Sequence, residues 1–153
     1  MNNTQLGMLR FEDRQIFGQF AVYAISSNMI EEANVLIDAL QADNPTNAAG
    51  FLLRANVVLR EYGPVSCLHY LETCCDFEFT QNAEKFVSHY FQMAYTVGDA
   101  AQIETCLQYI LDREHYETEE EREGILELME KRFEIAEHNE QSLDDEINAI
   151  TVH

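Results

Sequence analysis

Cys74 and Cys75 stand side by side, and Cys67 and Cys106 complete a set of four cysteines. Adjacent thiols can form a redox pair or hold a soft metal ion, and a thiolate beside a histidine can act as a nucleophile. The spacing completes neither a redox nor a metal site. No second cysteine pair stands at metal-ligand spacing, and His69 offers one nitrogen alone. The five histidines, His69, His89, His115, His138 and His153, are scattered, with no pair four residues apart on a helix. A Cys–His nucleophile would be assembled in space rather than in sequence, so it stays open at this level. The chain has no glycine-rich phosphate loop. The acidic run 117–123 lacks the alternating oxygen ligands and central glycine of a calcium loop. These residues therefore predict no enzyme, no metal and no cofactor. Adjacent cysteines also have a plainer account: on a helix, one faces the core and the other faces away.

The elements that carry these residues are expected to be helices. The sequence has 153 residues, enough for one core, and 46% of them are apolar. Two prolines, six glycines and few β-branched runs favour an all-α fold. The net charge is −19, and about half of it lies between Glu117 and Glu146, where 13 acids face Arg122, Lys131 and Arg132. Such a surface repels phosphate backbones and anionic membranes, so neither nucleic acid nor membrane is an expected partner. It fits a basic partner or a solvated face. Met1 to Leu9 is mixed and polar, unlike a leader peptide, and no apolar run approaches the ~20 residues of a membrane span. Reduced thiols in a cytoplasmic protein follow as the expectation.

Apolar spacing divides the chain. A lead, 1–9, precedes a helix over 11–27 whose residues Ile16, Phe17, Phe20, Ala21, Ala24 and Ile25 recur at three and four as a buried stripe. A second helix begins near Met29 and ends before the turn at Asp43–Asn47. A third spans 47–62, and Gly63–Pro64 closes it and opens a fourth over 64–75. Phe77 and Phe79, in the connector, should pack inward. A fifth helix covers 81–97 with Thr80 as its cap, and a sixth covers 100–113. Residues 118–138 form a long amphipathic helix. Thr118 and Glu121 make a capping box, and Ile125, Met129, Phe133 and Ala136 lie on one face. Leu143, Ile147 and Ile150 follow in a short helix or tail.

Within this walk one pattern repeats. Ala33, Ile37, Leu40 and Pro45 place a small residue, apolar residues four and seven later, and then a proline. Cys67, Leu71 and Cys74 reproduce the spacing 34 residues on, and Cys106-Leu107-Gln108-Tyr109-Ile110 echoes Cys67-Leu68-His69-Tyr70-Leu71. Small residues at Ala33, Ala55, Cys67 and Cys74 would let helices approach closely. The spacing resembles the tetratricopeptide repeat over residues 14–113. With Arg14 first, Phe17, Phe20, Ala21 and Ala24 fall on the first-helix positions, and Ala33, Ile37 and Pro45 on the second-helix ones. Leu40 stands where a small residue is usual. A second unit from Ala48 keeps Phe51, Ala55, Val58, Cys67, Leu71 and Cys74. It departs with Arg54 for leucine and Phe79 for proline. A third unit, from about Ala83, keeps Phe86 and Met93.

The resemblance implies about three stacked helical hairpins over 10–116, capped by an acidic amphipathic helix over 117–139, with 140–153 as a short helix or tail. Its first helices would line a concave face through Gln15, Gly18, Val22 and Ile25, then Ala49, Leu52, Asn56 and Leu59, then Glu84, Val87, Phe91 and Ala94. Val22, Ile25, Leu52, Asn56, Leu59, Val87 and Phe91 become the expected groove for the amphipathic helix of a protein or peptide partner. Ordinary core, or a groove covered by the C-terminal helix, remains the alternative for each residue. Size, acidity and uneven repeats resemble the small chaperones of bacterial type III secretion, which hold an export subunit in the cytosol. The expected function is a non-enzymatic adaptor or chaperone. The alternative is a self-associating scaffold that buries its apolar face in a homodimer.

Overall fold

The computed structural model describes residues 10–132 and Glu134, without the side chain of Phe11. The expected lead 1–9, the end of the capping helix and the segment carrying Leu143, Ile147 and Ile150 lie outside the described residues. The protein is all-helical: among the described residues the only extended pairing is an isolated parallel bridge, Asn47 to Gln81. Its compact units divide between Val97 and Gly98, inside the stretch that the sequence assigns to repeats.

The first unit holds α1 (Phe11–Ser26), α2 (Ile30–Asp43), α3 (Ala48–Tyr62), α4 (Pro64–Cys74) and α5 (Ala83–Val97). Each helix packs on its sequence neighbour, and α3 also touches α1 and α5. That is a stack of hairpins with the odd-numbered helices side by side. Local chemistry sets the ends. Glu12 and Asp13 sit in the first turn of α1, Glu31 and Glu32 in that of α2, where acids oppose the helix dipole. Asn47 caps α3 by accepting the Ala49 amide at 2.9 Å. Gly63 ends α3 at φ +92°, a conformation closed to side chains, and Pro64 starts α4 at once.

Packing follows the small-residue positions. Ala33 and Ile37 have no exposed surface and meet Ala21, Ala24, Ile25 and Val57 in one cluster. Ala55, Cys67, Leu71 and Cys74 are buried, and the Cys67 thiol donates to the Ala55 carbonyl at 3.4 Å. Leu40 is half-buried, and Pro45 is exposed in the turn after α2. Phe79, which replaces the proline, anchors an aromatic chain instead: its ring lies 5.1 Å from Phe51 and 5.0 Å from Phe86. Phe77 contacts Phe51 at 5.0 Å yet stays 46% exposed, so only Phe79 packs inward as expected. Arg54, at the leucine position, reaches from α3 to Asn34, Asp38 and Gln41 on α2. Gly50 lets those two helices close, since a Cβ there would sit 2.9 Å from Gln41 Cγ.

Two expectations need correction. Ile16 and Phe20 are exposed, at 44% and 58%, rather than buried. Among the described helices of this unit α1 packs only on α2 and α3, so Ala21, Ala24 and Ile25 suffice to face them. Thr80 does not cap α5. Its amide donates to the Thr46 carbonyl at 2.9 Å, and α5 begins at Ala83 after Asn82 turns the chain at φ +58°.

In the second unit, α6 (Ala100–Asp112) opens with a full capping box: Asp99 accepts the Gln102 amide at 2.8 Å and Gln102 accepts the Asp99 amide at 3.0 Å. Ile103, Cys106, Leu107, Tyr109 and Ile110 are buried. The chain turns at Glu114 (φ +53°), with Arg113 4.3 Å above the Tyr109 ring. Residues 119–132 form α7. Thr118 accepts the Glu121 amide at 3.1 Å, but Glu121 returns to Glu117 N, one residue before the expected partner. The Glu127–Lys131 ion pair is 3.6 Å long, and Ile125, Leu128 and Met129 are half-buried.

Candidate functional site

An open groove of about 560 Å³ runs between α1, α3 and α5. Each helix supplies one stripe at three- and four-residue spacing, because only such residues share a face. From α1 come Gln15, Gly18, Gln19 and Val22; from α3, Ala49, Leu52, Leu53 and Asn56. The α5 wall is Lys85 and His89, with Asn82 just before the helix. Alanine and leucines make the floor, amides line the α1 side, and a cation and an imidazole line the α5 side.

A second cleft of about 480 Å³ shares Gln15, Gly18, Ala49, Leu53 and Asn82 with the groove and extends it. Its walls are tied together by polar contacts. Arg14 pairs with the fully buried Asp43 carboxylate at 2.7 Å. Asn44 donates to Gln81 at 2.8 Å, and Asn82 donates to Asn47 at 2.8 Å. The Ala48 amide donates to the Gln81 carbonyl at 3.0 Å. Asn47 and Gln81 occupy matching places one 34-residue unit apart, so successive inter-hairpin turns are joined to each other. Ordered turns hold the helix starts in place, and with them the stripes that face the groove.

Of the residues expected in the groove, the structure places Val22, Leu52 and Asn56 on its surface, with Gln15, Gly18 and Ala49 from the same register. Ile25 is 5% exposed and belongs to the core cluster instead. Val87 is 8% exposed and does not line the cavity. Leu59 and Phe91 are half-buried away from it, and the Phe91 ring lies 5.6 Å from Tyr95. The reason lies in α5. Its start is set by the bridge to Asn47 and by the Asn82 turn, which puts Asn82, Lys85 and His89 toward α3, two residues earlier than a register anchored on Phe86. The 34-residue spacing does not reveal this, because it carries Ala49, Leu52 and Asn56 to Ala83, Phe86 and Tyr90, and Phe86 and Tyr90 are buried.

The thiols are not among the lining residues, and burial raises the pKa of two of them. Cys67, Cys74 and Cys106 are buried and Cys75 is half-buried. Burial pushes the Cys74 thiol up to about 11, with hydrogen bonds from Tyr70 and Thr73 pulling partly back. Burial raises Cys67 as well, and holds the Tyr70 phenol far above its usual range despite the hydrogen bond from Gln41. Neutral thiols are poor nucleophiles. Among the described residues no three His, Cys, Asp or Glu side chains gather as a metal cage, and no helix is long and apolar enough to cross a membrane. The groove lining contains no thiol, hydroxyl or carboxylate among the described residues. It can supply apolar contact, amide hydrogen bonds and positive charge.

No family of known proteins matches the chain, and neither a curated protein nor a solved structure matches it significantly.

Proposed function

We propose that this protein is a non-enzymatic adaptor or chaperone that holds an amphipathic helix of a protein partner in the α1–α3–α5 groove. The observation that carries the reading is the groove itself: three adjacent helices present complementary stripes around one elongated apolar floor. Val22 is 52% exposed there, and no helix of the first unit covers it among the described residues. Helix-in-groove recognition needs such a floor, with polar groups at its rim to fix the register of the guest. The lining, which holds no thiol, hydroxyl or carboxylate among the described residues, supports binding over catalysis. The Ala33/Cys67 spacing carries the likeness to tetratricopeptide-like chaperones, and a place in type III secretion is the finer form of the proposal.

Leu52→Asp tests the reading. Leu52 is half-buried at the floor, so a carboxylate there would be desolvated by any apolar guest while staying partly hydrated in the free protein. Affinity purification of the wild-type chain and Leu52→Asp from the native cell, with thermal unfolding in parallel, should show a partner lost by a variant that stays folded. A partner retained equally by both would reject the groove.

A further inference from the structure

We infer that the guest helix carries Asp or Glu along one border of its apolar stripe, and that it seats with its backbone close over Gly18 and its acids against Lys85. The inference rests on the groove reading and adds the chemistry of the occupant.

Gly18 is the first observation. It lies in the middle of α1, where glycine weakens a helix relative to alanine. Gly50 is explained by its own neighbours, because a side chain there would strike Gln41. Gly18 is not: among the described residues a Cβ at this position would meet nothing within 4 Å, and it faces the groove. Packing among the described residues does not require the missing side chain. A guest does, since helix separation depends on the size of the side chains at the contact point.

Lys85 is the second. It is one of two lysines in a chain of net charge −19. In the first unit Arg10 pairs with Asp13, Arg14 with Asp43 and Arg54 with Asp38, and Arg60 donates to the Ile25 carbonyl. Lys85 has no carboxylate within 4 Å among the described residues, although acids outnumber bases threefold. It stands on the groove wall with His89 one turn later on the same face. The opposite wall offers Gln15 and Gln19, which are uncharged. The positive charge is therefore one-sided, and complementarity places the guest's acids on the α5 side only.

Fluorescence anisotropy with three labelled, hydrocarbon-stapled 16-residue helices tests this on the full-length protein. All three carry the same leucine stripe; its α5-side border is Glu, Gln or Lys. The Glu peptide should bind tighter than the Lys peptide by about tenfold at low salt, and the gap should shrink as salt rises. Lys85→Glu should invert the order. Gly18→Leu should weaken all three while leaving the melting temperature equal or higher. Equal affinities for the three peptides, or an order unchanged by Lys85→Glu, would overturn the acidic border and leave the groove reading standing. Unimpaired binding to Gly18→Leu would overturn the seating. No binding by any of the peptides would overturn the inference and the groove reading together. A wild-type dimer that Gly18→Leu converts to monomer would assign the groove to a second copy and overturn the foreign guest.

Discussion

Gly50→Ala and Gly18→Ala are the same chemical change in two surroundings, and the structure predicts opposite signs. In a helix with free space, replacing glycine by alanine gains roughly 0.5–1 kcal/mol. Gly18 has that space, so Gly18→Ala should stabilise by up to about that amount. At Gly50 the new Cβ would sit 2.9 Å from Gln41 Cγ, 3.4 Å from Gln41 N and 3.6 Å from Gln41 Cα. The two backbone atoms stay at van der Waals distance, so the clash is with Cγ, close to the root of the glutamine side chain, and that side chain must shift or α2 must give way. Overpacking of this kind costs about 1–3 kcal/mol. Gln41 also donates to the Tyr70 hydroxyl at 3.3 Å and receives Arg54 at 3.5 Å, and loosening those bonds adds about 0.5–1 kcal/mol. The helix gain offsets about as much as the loosened bonds add, which leaves a net loss of about 1–3 kcal/mol. Urea unfolding followed by circular dichroism reads both variants as shifts of midpoint at constant slope. Gly50→Ala as stable as Gly18→Ala would refute the close approach of α2 and α3.

Further expectations follow from the same packing. Leu71 is 1% exposed, so Leu71→Ala should cost about 2–5 kcal/mol by thermal or urea unfolding. Asn47→Ala removes the α3 cap and the acceptor of the Asn82 hydrogen bond, and a loss of about 1–2 kcal/mol is expected in the same assay. Because Cys74 is raised in the folded protein to about 11 from 9.0, the unfolded chain releases its proton first as pH rises. Its contribution is intact below pH 9 and lost progressively between pH 9 and 11; stability measured across that window should fall, and fall less in Cys74→Ala than in the wild type. At pH 8 a thiol reagent should modify Cys75 before Cys67 and Cys74, read by mass spectrometry of peptides, and equal rates would contradict their burial.

Helix positions were readable from the sequence because apolar periodicity and turn chemistry are local. Gly63–Pro64 and Gly98–Asp99 each predict a boundary, and each is one. The core face of α1 was harder. Ile16 and Phe20 share the spacing of Ala21, Ala24 and Ile25, and periodicity alone does not reveal that, among the described helices of its unit, α1 packs only on α2 and α3. The concave stripes of α1 and α3 were legible from one register, since Gln15, Gly18 and Val22 stand 34 residues before Ala49, Leu52 and Asn56. On α5 the register failed. Its start depends on the Asn47–Gln81 bridge, a contact between turns that no single stretch of sequence encodes, so Lys85 and His89 were missed and Val87 was misplaced. The pairing of Arg54 with α2 was likewise invisible, because a charged residue at a leucine position reads as a lapse in the repeat until its partners are seen.

The account stands on the α1–α3–α5 groove as the seat of a guest helix. Amide chemical-shift mapping on the isotope-labelled protein, titrated with the Glu-bordered stapled helix, examines that directly. Saturable shifts should concentrate at Gly18, Val22, Leu52, Asn56 and Lys85, with little change along α4. Shifts gathered instead on the outward stripe of Ile16, Phe20 and Tyr23, or no saturable shifts at all, would contradict it.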